Sequence, residues 1–253
     1  MRRALSIPQL VITVHGWPWL VADCMGLRRQ PYQLRVRNGA CCELRPGTSD
    51  WWIFLEIFVF GIYRRVKDDI RRSATIVDIG ANVGFFSVYA SSLNPAAQIH
   101  AFEPFPKNVD QMKRNVQLNP RGLIHVHPEA VADKAGVAEL YFTPGDDSGC
   151  SLNEVKGQSC SVNVINVNDL PARCGIESYD LLKMDCEGSE LSILRVLSPA
   201  ILAKVGAVIL EFHHQEELES LAGIFSRAGF NCEILPQINT LYAQRAPRPG
   251  IGT

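Results

Sequence analysis

From residue 74 onward, short apolar runs of strand length alternate with segments whose apolar residues recur at helical spacing. The strand-like runs span residues 75–78, 98–102, 123–126, 179–184 and 207–210, and the runs 231–235 and 240–243 could close the sheet. Because these strands are apolar on both faces and alternate with helices, they predict a parallel sheet covered by helices on both sides. Such sheets bind ligands beyond the carboxyl ends of their strands.

Between the third and fourth of these strands the pattern is more polar. Residues 137–142 and 162–167 are predicted as two further strands, and residues 143–151 as a polar, glycine-containing loop that could cover a substrate site.

The first part of the chain predicts a hairpin. Residues 1–30 show no clear period, whereas residues 32–37 and 41–45 alternate on either side of Asn38-Gly39. This dipeptide is the strongest two-residue hairpin turn in protein sequences.

The densest apolar run, residues 51–63, follows the N-capping residues Thr48 to Asp50 and predicts a buried helix. It is too short for the roughly 20 residues that span a bilayer. We therefore predict an N-terminal extension over residues 1–72, made of a hairpin and a capping helix, followed by a sheet domain over residues 73–253.

Composition narrows the function classes. Apolar residues make up 47% of the 253 residues and the net charge is −1, values that suit a globular protein and argue against a nucleic-acid partner. The stretch after Met1-Arg2-Arg3 is too interrupted for a signal peptide, so we expect a cytoplasmic protein without a membrane partner. The eight cysteines form no zinc-ligand spacing, and we expect them, like His100, His125 and His127, to be structural.

A glycine-containing turn follows the first predicted strand of the sheet domain. It reads Asp78-Ile-Gly-Ala-Asn-Val-Gly84, and its glycines allow the main chain to turn tightly and to approach a ligand closely. The G-x-x-x-G spacing differs from the dinucleotide fingerprint G-x-G-x-x-G, so the turn alone is a weak indication of a nucleotide site.

Glu103 follows the second predicted strand and lies 19 residues beyond Gly84. A carboxylate at this place can accept hydrogen bonds from the two hydroxyls of a ribose. The carboxylate of Asp78 would repel a pyrophosphate, so it favours a ligand with a cationic part. S-adenosylmethionine is such a ligand, because it carries a sulfonium and an α-amino group. A nicotinamide-dependent oxidoreductase and a non-catalytic cofactor-binding module are the alternative hypotheses.

Three stretches resemble the FkbM family of class I S-adenosylmethionine-dependent methyltransferases: residues 77–87, residues 101–104 with Asn108 and Asn115, and residues 180–190. The resemblance covers residues 32–235 and implies a Rossmann-like three-layer αβα sandwich with a mostly parallel seven-stranded sheet. It also implies methylation of a hydroxyl group on a small molecule or glycan.

The resemblance further implies a role for individual residues. The residues around the methionine and ribose would be Asp78, Gly80, Asn82 and Gly84, and Glu103 would hold the ribose diol. The adenine would be flanked by Pro104, Phe105 and the main chain at Ala130. Asp185, with Glu187 and Glu190 behind it, would lie near the transferred methyl group.

Proton transfer from an alcohol needs a base or a metal. His213 and His214 follow Glu211 at the end of the fifth core strand, and either could be that base. Alternatively, Asp185, Glu187 and Glu211 could gather a divalent cation, because hard oxygen ligands suit Mg²⁺. We expect catalysis by Asp185, Glu187 and the histidines without a metal.

Overall fold

The computed structural model of the protein describes residues 7–143, 146–153 and 157–245. Residues 1–6, at the start of the predicted extension, and residues 246–253, at the end of the predicted sheet domain, lie outside the described residues. Within the described ranges, no helix has both the length and the apolar character needed to cross a membrane.

The described residues form strands and α-helices in alternation. The strands are β1 (Val14–His15), β2 (Tyr32–Val36), β3 (Cys41–Leu44), β4 (Thr75–Ile79), β5 (Gln98–Phe102), β6 (Leu123–His127), β7 (Ala130–Ala132), β8 (Gly136–Thr143), β9 (Asp146–Ser151), β10 (Gln158–Asn166), β11 (Tyr179–Met184), β12 (Val205–Glu211), β13 (Phe230–Leu235) and β14 (Thr240–Arg245). The α-helices are α1 (Ile7–Thr13), α2 (Trp17–Cys24), α3 (Asp50–Phe54), α4 (Lys67–Arg72), α5 (Phe85–Leu93), α6 (Pro106–Gln117), α7 (Leu170–Cys174), α8 (Glu190–Val196), α9 (Pro199–Leu202) and α10 (Leu218–Arg227).

Seven strands form the main sheet, in the order β13-β14-β12-β11-β4-β5-β6. The neighbours from β12 to β6 pair in parallel, and β14 pairs antiparallel with both β12 and β13. The prediction of a mostly parallel seven-stranded sheet, closed by the last two strands, is confirmed.

Each face of this sheet is covered by its own apolar core. Neighbouring residues of a strand point to opposite faces, so Ile76 and Leu181 pack with α4, α5 and the extension. Val77 and Leu182 pack on the other face with α7, α8 and α10. The molecule therefore has the predicted Rossmann-like, three-layer αβα arrangement.

The predicted hairpin is confirmed, since β2 and β3 pair antiparallel with Tyr32 opposite Leu44. Its turn contains Gly39 at a φ of 100°, a left-handed conformation that glycine adopts without steric cost. The region before it contains the short helices α1 and α2. The sequence did not predict them, because residues 1–30 show no clear period.

The single helix predicted from Asp50 to Tyr63 is wrong, because the segment changes its winding twice. After α3, residues 55–60 form a π-helix, and Gly61, at a φ of 66°, ends it. A 3₁₀-helix, Ile62–Val66, follows. The left-handed glycine stops the helix, although the apolar run continues across it.

Amide side chains from α6 and its C-terminal end bind the free edge of β3. Asn115 Oδ1 accepts the N–H of Glu43 at 2.8 Å, and Gln111 Nε2 donates to the Glu43 carbonyl at 3.0 Å. Asn119 accepts the N–H of Cys41 at 3.0 Å and donates to its carbonyl at 2.7 Å. These bonds join the extension to the sheet domain.

The extension and the sheet also share one apolar core, which contains both Leu55 and Ile76. The predicted boundary after residue 72 falls between the end of α4 and the start of β4. The division into two domains stays a prediction.

A second sheet, in the order β7-β10-β8-β9, branches off after β6. The strand predicted at residues 137–142 is confirmed as part of β8, and the strand predicted at residues 162–167 is confirmed up to residue 166, the end of β10. The loop predicted over residues 143–151 is wrong in part, because β9 pairs with β8 there, while residues 144–145 lie outside the described residues. An edge strand needs apolar residues on one face only, and in β9 Cys150 packs on the small core.

Candidate active site

A cavity of about 260 Å³ lies at the carboxyl ends of β4, β5, β11 and β12. Its wall includes residues 80–83, 103–104 and 185–187 together with Glu211. The extension closes another side with Trp52, Glu56 and Tyr63, and the second sheet adds Ala130, Leu140 and Cys150. This is the edge at which parallel α/β sheets bind ligands.

The structure brings most of the predicted site residues together here. Those that line the cavity are Gly80, Asn82, Glu103, Pro104, Ala130, Asp185 and Glu187. Six residues that the sequence analysis placed at the site are not found among the described residues of the cavity wall: Asp78, Gly84, Phe105, Glu190, His213 and His214.

Steric crowding explains the two glycines of the turn. Gly80 has a φ of 73°, and a Cβ on it would overlap the carbonyl oxygen of Asp185. Gly84 has a φ of 80°, and a Cβ on it would lie 2.7 Å from Met112 Cγ. Each position thus requires glycine both for its backbone conformation and for its close packing. The turn can therefore bring its main chain to the cavity wall.

Glu103 is held in one orientation by main-chain donors. The N–H of Asn82 donates to its Oε2 and the N–H of Phe105 to its Oε1, both at 2.9 Å. The residue is 5% exposed. Burial raises the pKa of Glu103 to about 7, although the two main-chain hydrogen bonds oppose the shift. The Asn108 side chain also hydrogen-bonds to this carboxylate, which with about four lone-pair sites keeps acceptor capacity for a ligand hydroxyl.

Lys183 lies under the turn, and the sequence prediction gave it no role. Its Nζ donates to the carbonyl of Gly80 at 2.7 Å and lies 3.2 Å from Asp78 Oδ1 and 3.6 Å from Asp185 Oδ2. Burial alone would lower the pKa of Lys183, but the two aspartates raise it well above the ordinary value. Its ammonium group therefore ties the turn to the end of β11.

The Asp78 carboxylate faces this interior network. It is fully buried and also accepts a hydrogen bond from Ser87 Oγ at 2.7 Å. From this place Asp78 positions Lys183 and the first turn of α5, while its predicted role against the cofactor stays a prediction.

His213 lies among three carboxylates beside the cavity. Its Nδ1 is 3.2 Å from Glu190 Oε1, and its Nε2 is 3.4 Å from Glu187 Oε2 and 3.8 Å from Asp185 Oδ1. The hydrogen bond to Glu190 raises the pKa of His213 to about 9, against the effect of burial. His213 is therefore a cation at neutral pH, and a base role would require it to lose this proton first.

The pKa values of Glu190 and Glu211 are shifted in opposite directions in this cluster. Burial would raise the pKa of Glu190, but its bond to His213 lowers it below the ordinary value. Burial and the charge of Asp185 raise the pKa of Glu211 to about 8. Glu211 lines the cavity and so combines access with raised basicity.

His214, the next residue, is exposed. A Cβ on Gly188 would lie 3.2 Å from its Nε2, which places the imidazole against the turn before α8. The base role predicted for His214 stays a prediction.

The acidic cluster also has metal-ligand geometry. One ligand atom from each of Asp185, Glu190 and His213 lies within 4.8 Å of the others. A protonated His213 already supplies positive charge to these carboxylates, so the cluster does not need a metal ion for charge balance.

A mostly parallel α/β sheet with a glycine turn and a preset carboxylate at its carboxyl edge defines a nucleoside-binding protein of the class I methyltransferase type. The sequence pattern of the methyltransferase FkbM domain matches residues 78–232, more than half of the chain. The chain belongs to the FkbM methyltransferase family. It is a methyltransferase that uses S-adenosylmethionine, which confirms the leading prediction over its two alternatives.

Three relatives illustrate the range of this family. The chain is 27% identical to the 31-O-demethyl-FK506 methyltransferase FkbM of Streptomyces tacrolimicus over 71% of this chain and 81% of that protein. It is 24% identical to the hexuronic acid methyltransferase AglP of Haloferax volcanii, over 68% and 70% respectively. It is 26% identical to the 2-O-methyltransferase NoeI of Sinorhizobium fredii, over 57% and 65%.

Proposed function

We propose that the protein transfers a methyl group from S-adenosylmethionine to a hydroxyl group of a small molecule or a glycan. The observation that carries the proposal is the Glu103 carboxylate, which the N–H groups of Asn82 and Phe105 hold at the cavity wall. This arrangement suits a ribose diol. Two of the three relatives carry an oxygen position in their names, which supports oxygen as the accepting atom.

The residues present fit the cofactor. Gly80 lies on the cavity wall without a Cβ, so the main chain of the turn can approach the methionine and ribose there, while Gly84 lets the turn pack on Met112. Glu103 would accept hydrogen bonds from the ribose, and Pro104 and Ala130, both on the cavity wall, would flank the adenine. When bound, the cofactor supplies an electrophilic methyl group on a sulfonium.

The charge of the cavity supports a cationic ligand. Glu56, Asp185, Glu187 and Glu211 all line it. Lys183, the cation beneath them, is already engaged by aspartates. The protonated His213 faces Asp185, Glu187 and Glu190 in the same way. Two cations therefore meet four carboxylates without counting Glu211, whose pKa of about 8 leaves it mostly neutral at pH 7. The remaining negative charge favours the sulfonium and the α-ammonium of the cofactor.

Glu211 is the proton acceptor that we assign to the reaction. Its pKa of about 8 makes the ionised carboxylate a stronger base than an ordinary glutamate. An acceptor hydroxyl placed against Glu211 can pass its proton to a carboxylate oxygen as the hydroxyl oxygen becomes nucleophilic. His213 would stay protonated in this scheme and hold Glu187 and Asp185 in place.

A labelled-methyl assay tests the function. The protein is incubated with S-adenosylmethionine that carries a radioactive methyl group, and with two panels of acceptors, hydroxylated small molecules and saccharides. We expect label in a product that resists mild alkali, because a methyl ether is stable there. Release of the label as methanol would show a methyl ester and contradict the hydroxyl assignment, as would the absence of transfer to either panel.

A further inference from the structure

Two histidines and a cysteine that are distant in sequence meet behind the cofactor cavity. His100 in β5 and His127 at the end of β6 are buried, and Cys174 ends α7. His100 Nδ1 and His127 Nε2 are hydrogen-bonded at 3.1 Å, and one ring nitrogen of each histidine lies within 4.8 Å of the Cys174 sulfur. We propose that these three side chains bind a zinc ion.

Strand register explains how the two histidines come together. β5 and β6 are parallel neighbours in which His100 lies opposite His125, and Phe102 opposite His127. Because residues two apart share a face of the sheet, His100 and His127 project from the same face. Helix α7 packs over this face, and the left-handed Gly175 ends the helix directly after the cysteine.

The distances suit a tetrahedral zinc site. With Zn–N of 2.0–2.1 Å and Zn–S of about 2.3 Å, two nitrogen ligands lie about 3.3 Å apart, and a nitrogen and a sulfur about 3.6 Å apart. The two imidazole nitrogens already have this spacing, and a small shift of the Cys174 side chain would bring its sulfur within range. Imidazole and thiolate ligands favour zinc over Mg²⁺ or Ca²⁺.

Neighbouring groups hold the two imidazoles in place. The ring of Phe102 stacks on His127 with centroids 4.3 Å apart and planes 11° apart. His125 stacks on His100 at 4.9 Å, but its Nε2 lies 2.6 Å from Gln98 Oε1, so this third histidine is directed away from the cluster. Restricted rings lose less freedom on binding a metal, which favours a preformed site.

The proposed zinc site is next to the cofactor cavity. Phe102 forms part of the cavity wall, and the carbonyl of His127 accepts the N–H of Glu103 at 3.1 Å. A zinc ion would therefore brace the wall that carries the ribose-binding carboxylate and the segment leading to Ala130. The described residues supply three of the four tetrahedral positions, and a water molecule would complete the coordination. The bracing of the wall does not depend on the identity of the methyl acceptor.

Zinc content of the purified protein tests the proposal. After chelation, reloading with Zn²⁺ and dialysis, mass spectrometry of the metal should find one zinc ion per chain. Cys174→Ser and His127→Gln should each lower this content by roughly tenfold or more. The controls Cys232→Ser, an exposed thiol, and His125→Gln should keep it. His213→Gln should also keep it, since it removes a ligand of the acidic cluster instead.

Cobalt provides a measurement that needs no variant. Co²⁺ bound to the wild-type protein should give a thiolate charge-transfer absorption, and Zn²⁺ should displace it. A wild-type protein that retains no zinc, or that binds Co²⁺ without this absorption, would overturn the proposal. So would zinc that is lost in His213→Gln but kept in Cys174→Ser.

Discussion

Replacing Glu103 by glutamine tests the ribose assignment directly. In the wild-type protein each carboxylate oxygen accepts one main-chain N–H, from Asn82 or Phe105, at 2.9 Å. A glutamine of the same shape has one oxygen and one NH₂ group, so it keeps a single such bond. It also removes the charge that would strengthen the hydrogen bonds to the ribose.

The magnitude follows from the two ribose hydrogen bonds. A hydrogen bond to a charged acceptor contributes about 1.5–3 kcal/mol, so losing two costs about 3–6 kcal/mol. At about 1.4 kcal/mol per tenfold change in affinity, binding of the cofactor should weaken by roughly 10²- to 10⁴-fold. Because Glu103 also anchors the turn, part of this loss could come from a displaced loop.

A double-mutant cycle separates the two causes. Calorimetry compares S-adenosylhomocysteine with its deoxyribose analogue, on wild type, on Glu103→Gln and on the control Glu139→Gln, an exposed residue of β8. Wild type and control should bind the deoxy analogue more weakly, whereas Glu103→Gln should bind both ligands alike. If all three proteins lost the same affinity on going from S-adenosylhomocysteine to the deoxy analogue, the contact between Glu103 and the diol would be refuted.

The pH dependence of binding gives an independent test of the same residue. The pKa of Glu103 is about 7, and its ionised form is the better acceptor. Wild-type affinity should therefore rise as the pH increases through about 7 and then level off. Glu103→Gln should show no such rise, and a wild-type profile that falls over this range would contradict the reasoning.

Four other substitutions have definite expected outcomes. Glu211→Gln should lower turnover by roughly 10²- to 10⁴-fold with little change in cofactor affinity; unchanged turnover would place the base elsewhere. Gly26→Ala should lower the free energy of unfolding in urea by about 1–2 kcal/mol, because only the positive φ opposes a side chain there. Gly80→Ala should lower it by more, because its Cβ would also overlap the Asp185 carbonyl. Lys183→Met should destabilise the protein by about 3–5 kcal/mol because it leaves buried carboxylates unpaired, and an unchanged melting temperature would argue against the ion pair. Since the pKa of His213 is raised to about 9 from 6.5, the stability that it adds should be complete below pH 6.5 and lost as the pH rises through about 9; unfolding of His213→Gln across this range measures it.

Local patterns were sufficient to predict the sheet and the turn. Strands such as β4 and β11 are short apolar runs, and the hairpin depends on Asn38-Gly39, whose geometry two residues determine. The glycines of the turn were recognised from spacing alone, and the overlap between a Cβ on Gly80 and the Asp185 carbonyl gives the reason.

The charge network could not be predicted in the same way, because it depends on contacts between distant elements. Lys183 pairs with Asp78 across neighbouring strands, and the carboxylates of Glu187 and Glu190 reach His213 from the turn before α8 and from its first residue. One indication was present, since Lys183 lies between the apolar residues Leu182 and Met184 in a strand, and a buried ammonium needs a counter-charge. The change from α- to π-helix before Gly61 left no comparable indication.

The amides that bind β3 also affect how molecules of this protein meet one another. An open strand edge presents N–H and C=O groups that another chain can pair with, and such edges promote aggregation. Here Gln111, Asn115 and Asn119 occupy the groups of Cys41 and Glu43 with side chains instead of a strand. The three-stranded sheet of the extension is thus closed on this side against intermolecular β-pairing, by the same contacts that attach the extension to the sheet domain.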